Sequence, residues 1–156
     1  MKRNLKILHA RLLLAFMVLA PLVLVPAVRA ATMVEMSGNL VLIGDPTIRI
    51  SLEARAVGDP NLLVGTGKFE TSTMTILFSL TGNLIGDPNS RAGAVITLSG
   101  QVTQSTDPTL LRTPVTVNGL VEPDTRQISL TVGAIGDPNA KTFVGAGLIS
   151  IETNGR

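Results

Sequence analysis

Between Thr47 and Ala56 apolar and polar residues alternate one for one, with Ile48, Ile50, Leu52 and Ala54 on one side and Arg49, Ser51, Glu53 and Arg55 on the other. Successive side chains of an extended strand point to opposite faces, so this is the pattern of a strand with one buried face. Met74, Ile76, Phe78 and Leu80 repeat it against Thr73, Thr75, Ser79 and Thr81. Ala94, Ile96 and Leu98 do so against Thr97 and Ser99, and Ile128, Leu130 and Val132 against Ser129 and Thr131. No stretch beyond residue 30 carries the apolar stripe of an amphipathic helix. The pattern predicts strands over 34–43, 47–56, 62–70, 73–82, 92–103, 110–121, 127–135 and 141–152. The expected fold class is therefore all-β: an antiparallel meander of about eight strands that closes as a barrel or folds as a two-layer sandwich. Pro114 cannot donate to a ladder, and inside the sixth predicted strand it is expected at an edge, a bulge or the seam of an incompletely closed sheet.

The segments are punctuated by a recurring tetrapeptide. Ser-Leu followed by four variable residues, Val or Ile, and Gly-Asp-Pro-Asn occurs at 51–61, 79–89 and 129–139. Asp accepts hydrogen bonds from the backbone ahead of it, Pro fixes φ, Asn tolerates the bend, and the preceding Gly permits a positive φ. The motif is expected to reverse the chain. In a meander of these strands Asp45, Asp107 and Asp137 fall at one end, and Asp59, Asp87, Glu122 and Asp124 at the other. A calcium ion needs about six to eight oxygens at roughly 2.3–2.6 Å, and acids about 30 Å apart across a nine-residue strand cannot share one. The metal reading that remains is a weak calcium site built from two turns at one end.

After two of these turns, Val64-Gly65-Thr66-Gly67 and Val144-Gly145-Ala146-Gly147 correspond, and they lead to Glu70-Thr71 and Glu152-Thr153. The correspondence suggests hairpin duplication. The tetrapeptides are spaced 28 and 50 residues apart, which excludes a regular solenoid. Glycines at alternate positions bare one face of a strand, either for barrel curvature or for the approach of another backbone.

The first thirty residues change how the composition is read. Lys2, Arg3, Lys6 and Arg11 precede an apolar run from Leu12 to Val28 broken by Pro21 and Pro26, and Val28-Arg29-Ala30 places small residues where a signal peptidase cuts. The expected organisation is an N-terminal signal helix over 1–30, removed before Ala31, and a single all-β domain over 31–156. An uncleaved leader is the one expected route to a membrane. The leader takes five of the thirteen basic residues and none of the eleven acids, so the remainder carries eight basic against eleven acidic residues, a net charge of −3. Dispersed bases on an acidic domain argue against nucleic acid. An outer-membrane barrel would need interfacial aromatic girdles, and this domain has only Phe69, Phe78 and Phe143.

His9, the only histidine, also lies in the leader, and the chain has no Cys, Trp or Tyr. Ser-His-Asp and Cys-His catalysis, and metal sites of imidazole or thiolate, lack their parts. Paired carboxylates are the one catalytic device left. Glu53, flanked by Arg49 and Arg55, and Glu70, two residues from Lys68, read as solvated charge pairs. Ser and Thr populate outward strand positions with no base to activate them. The expectation is a non-enzymatic domain with no catalytic, cofactor-binding or metal-binding residues and no cofactor. It is expected to be exported, in periplasmic, cell-surface or extracellular space, as a structural or protein-interaction module of the cell envelope or extracellular matrix. Partners would be proteins or copies of itself, joined through sheet edges or the glycine-bared strands. The alternatives are a carrier of a small apolar ligand in a barrel interior and the weak calcium module at the turns.

Overall fold

The computed structural model describes residues 31–153; the predicted signal helix lies outside the described residues. Eight strands follow in order: β1 (Thr32–Leu42), β2 (Asp45–Asp59), β3 (Leu62–Glu70), β4 (Thr75–Gly86), β5 (Ala94–Ser105), β6 (Pro114–Val121), β7 (Arg126–Val132) and β8 (Lys141–Thr153). Each pairs antiparallel with its neighbours in sequence, and β1 also pairs with β8 from Thr32↔Thr153 to Leu42↔Phe143, so the sheet closes into a barrel. Of the two expected architectures, the barrel is the one formed. The only helical piece among the described residues is one 3-10 turn, Pro108–Leu110.

The predicted strands lie where the alternation placed them to within three residues at each end, with two larger differences. β4 runs on to Gly86, because Asn83, Leu84 and Ile85 continue the ladder opposite Thr97, Ile96 and Val95. The sixth strand begins at Pro114 and not at 110. The 3-10 turn, followed by Arg112 at φ 65°, takes the chain out of extended geometry, and Pro114 then occupies the first strand position, where its missing N–H costs no ladder bond. The Pro114 carbonyl still accepts from the Gly133 N–H, and no seam opens there.

Inward positions of all eight strands supply the core. Ile50, Leu52, Ala54 and Ala56 of β2 are buried, as are Ile76, Phe78 and Leu80 of β4, Ala94, Ile96 and Leu98 of β5, and Ile128 and Leu130 of β7. Ile48, predicted on the buried face, is exposed because β1 and β2 lose register between Val41 and Leu42. An eight-stranded barrel is just wide enough for its side chains to fill. The rings of Phe69 and Phe78 pack at 6.0 Å between centroids with a 41° tilt.

Inward glycines make room for this filling. Gly67 lies against the Phe78 ring, and a Cβ there would strike Cε2 and Cζ of that ring. At Gly119 a Cβ would sit 2.8 Å from Met36 Sδ, 3.1 Å from Ile96 Cδ1 and 3.2 Å from Ile149 Cδ1, so three other strands meet over β6. Gly65, Gly145 and Gly147 likewise face inward against neighbouring main chain: a Cβ would meet the Arg55, Asn39 and Ser37 carbonyls, respectively. These contacts are those of a tightly curved wall.

Two substitutions probe this interior. Gly67→Ala forces the Phe78 ring aside and is expected to cost about 1–3 kcal/mol in urea unfolding, with Phe78→Leu in the same chain recovering part of the loss. Thr32 is fully buried and its hydroxyl has no hydrogen-bond partner among the described residues. Thr32→Val keeps the shape and removes the unsatisfied group, so it is expected to raise stability by about 1 kcal/mol in the same assay.

Candidate functional site

The recurring acids are built into their own turns. Asp59 Oδ1 accepts from the Asn61 N–H at 3.0 Å, Asp87 Oδ1 from Asn89 at 2.8 Å and Asp137 Oδ1 from Asn139 at 2.8 Å. Asp45 and Asp107 do the same with the N–H groups of Thr47 (3.1 Å) and Thr109 (2.9 Å), and each also accepts the threonine hydroxyl. All five Asp-Pro sequences therefore form one local structure, a carboxylate folded back on the amide two residues ahead. Gly44, Gly86 and Gly136 precede three of these aspartates at φ 91°, 94° and 87°, a region that L side chains rarely adopt. Gly58, at φ 155°, is the near-extended member of the set.

The strand order puts the β1–β2, β5–β6 and β7–β8 turns at one end of the barrel and the β2–β3, β4–β5 and β6–β7 turns at the other. Asp45, Asp107 and Asp137 thus lie at the first end, and Asp59, Asp87, Glu122 and Asp124 at the second. Among the described residues no group of three or more His, Cys, Asp or Glu is placed to hold a metal ion.

Charge on the outer wall is arranged across strands. Glu35 stands directly opposite Arg55, with Oε1 3.3 Å from Nε, and Glu53 directly opposite Lys68, at 3.6 Å. Lys68 Nζ also lies 3.2 Å from Glu70 Oε1. The sequence neighbours of Glu53 are thus not its partners: Arg55 turns to β1, and Arg49 stands outside this network. The Glu70 hydrogen bond, followed by the Glu53 and Glu70 charges, raises the Lys68 pKa above its ordinary value. These charges border a groove of about 800 Å³ on the outer wall, whose margins also include Leu77 and Leu148. A smaller depression of about 290 Å³ lies over β5 to β8, between Val95, Leu120 and Val144.

Two further surface features were not legible as sites. Ile43, Ile48, Leu111 and Ile135 are exposed toward the β1–β2 end, and another group of exposed aliphatic residues lies at the β2–β3 and β4–β5 end, where Val57 pairs with Val64 and Ile85 with Val95, beside Leu62. Their signal in the sequence is that apolar residues run consecutively there, as in Leu62-Leu63-Val64 and Ala94-Val95-Ile96, where alternation would have placed polar ones. The second is a length of β8 that its neighbour does not cover. The last β7–β8 pair is Gln127↔Ala146, whereas β8 continues to Thr153. Comparison with protein-family models, with curated proteins and with solved structures finds no match.

The turns make acid stability a readout of their hydrogen bonds. The hydroxyl and then the N–H of Thr47 hold Asp45 below the ordinary carboxylate value of 3.8, and Thr109 does the same for Asp107. A lowered folded-state pKa gives stability that is complete above the unfolded value and is lost as pH falls through the folded one. Urea midpoints are therefore expected to hold from neutrality to about pH 4 and to drop below it, with a shallower drop in Thr47→Val/Thr109→Val. At neutral pH, Asp87→Ala is expected to cost about 0.5–1.5 kcal/mol through loss of the bond to Asn89.

Proposed function

We propose that this protein is an exported, non-catalytic β-barrel that acts through its outer surface, as a structural or protein-interaction module of the cell envelope or extracellular matrix. The observation that carries the reading is the filled interior: Met36, Ile96 and Ile149, from three strands, converge over Gly119, and Phe69 packs on Phe78. Such packing argues against the carrier alternative, which needs a continuous apolar chamber. What the molecule offers a partner is its outside, where ion pairs, hydroxyls, exposed aliphatic residues and an uncovered length of strand lie.

Several other features support parts of the same reading. Export rests on the basic-then-apolar leader and its cleavage site. The absence of catalysis rests on residue types: the domain beyond residue 30 contains no His or Cys, and most of its carboxylates are tied into turns or surface ion pairs. The calcium alternative is weakened because each Asp-Pro carboxylate already accepts a bond from its own turn. A lipid-facing barrel would carry an apolar band outward; here the wall residues at mid-height include Ser51, Glu53, Arg55, Thr66, Ser79, Thr81 and Ser99, and the exposed aliphatic residues lie toward the two ends and at Leu148 on β8.

Native mass spectrometry of the protein recovered from its own host tests this. The expected species is a chain beginning at Ala31, bound to another protein or to further copies of itself and free of small apolar molecules. A stoichiometric lipid or other apolar ligand surviving into the spectrum would replace this reading with the carrier.

A further inference from the structure

Closing a barrel staggers its strands, and the stagger leaves strand ends that overrun a neighbour. Two such stretches stand out. On β2 the residues before Ser51 have no partner on β3, but that stretch contains Pro46 and Arg49 and lies where the β1–β2 register shifts. Proline, charge and irregular register are the devices that keep a strand edge from recruiting another strand. On β8 the stretch beyond Ala146 reads Gly-Leu-Ile-Ser-Ile-Glu-Thr, pairs regularly with β1 throughout, and has none of these devices apart from Glu152.

The direction of its main-chain groups follows from the seam. The Ile43 N–H donates to the Thr142 carbonyl across the β1–β8 ladder, so residues in phase with Thr142, namely Leu148, Ser150 and Glu152, turn their N–H and C=O toward β1. Ile149 and Ile151 turn theirs to the open side. Among the described residues, no backbone hydrogen bond outside the ladders reaches this stretch. The same two side chains point inward yet remain only partly buried, unlike the inward residues of the neighbouring β1 ladder, Val34 and Met36, which are at most 2% exposed. Leu148, on the outer face, is 78% exposed. Unpaired amides and under-covered aliphatic residues thus coincide on one short edge.

We propose that Leu148–Glu152 is a self-association edge, along which two copies of this chain join β8 to β8 antiparallel about a two-fold axis at Ser150. This rests on the interaction-module reading and names its partner. A second copy fits better than an unrelated strand because the segment is complementary to itself. The antiparallel register sets Ile149 opposite Ile151 of the second copy, twice, with exchange of the free N–H and C=O groups and burial of both side chains. It sets Glu152 opposite Leu148, so no like charges face each other, and it ends the incoming strand against Arg126, the first residue of β7. Such an interface is isologous and closes on itself as a dimer.

Single-cysteine cross-linking, together with sedimentation over a range of concentrations, tests the edge on the full chain recovered as its host processes it. The sequence has no cysteine, so Ser150→Cys carries a unique thiol at the axis, where antiparallel non-hydrogen-bonded positions lie close enough to bridge. Oxidation is expected to yield a covalent dimer from Ser150→Cys and none from Ser51→Cys, exposed on β2. Ile151→Pro removes an N–H that faces the open side. The Ile151 side chain also packs on the core, so the monomer is expected to lose stability much as Ile151→Ala does, while dimerisation weakens at least about tenfold more than in Ile151→Ala. A dimer that survives Ile151→Pro and does not cross-link at 150 overturns the edge. A chain that stays monomeric at every concentration while retaining a different protein overturns self-pairing and keeps the interaction reading. A monomer that retains nothing overturns both.

Discussion

The ladder between β1 and β8 joins the first strand to the last and turns a curved sheet into a closed wall. Closure gives the alternation of side chains its meaning, because inward residues from all eight strands then share one small interior and outward residues share none. No disulfide is present to hold the fold, so stability has to come from that interior and from the backbone ladders. The space is limited, and the sequence meets the limit by setting glycine against bulk: Gly67 against Phe78, and Gly119 beneath Met36, Ile96 and Ile149. An added methyl at such points meets a ring or a neighbouring side chain rather than a void.

Closure also staggers the strands, and this shapes the exterior. Stagger exposes main chain at the start of β2 and at the end of β8, and the two stretches are treated differently. The first has Pro46, Arg49 and a register shift, whereas the second is a regular strand of aliphatic and hydroxyl residues with one acid. Around the waist the charges face opposite partners across strands, so Glu35, Arg55, Glu53 and Lys68 neutralise one another locally. Pairs this exposed contribute little to stability and chiefly keep the wall solvated.

The aspartates belong to the same economy. A carboxylate that accepts the amide two residues ahead helps fold its own turn, and five Asp-Pro sequences do this at opposite ends of the barrel. Recurrence of the acidic motif here repeats one local turn structure.

Local periodicity was enough to place the strands, because side-chain alternation and turn chemistry act over a few residues. Ile50, Leu52 and Ala54, or Ile96 and Leu98, are buried where alternation put them, and the Gly-Asp-Pro sequences turn the chain as their residue types require. The start of β6 was misplaced because the Arg112 backbone and the 3-10 turn before it are set by how that loop returns to Val102. Barrel against sandwich could not be read from the chain, since both bury the same alternate residues and differ only in whether β1 meets β8. The outer groove, the pairing of Arg55 with Glu35 rather than Glu53, and the uncovered end of β8 were hidden for the same reason. They depend on register between strands distant in sequence, and register is settled by the closed tertiary structure, not by any local run of residues.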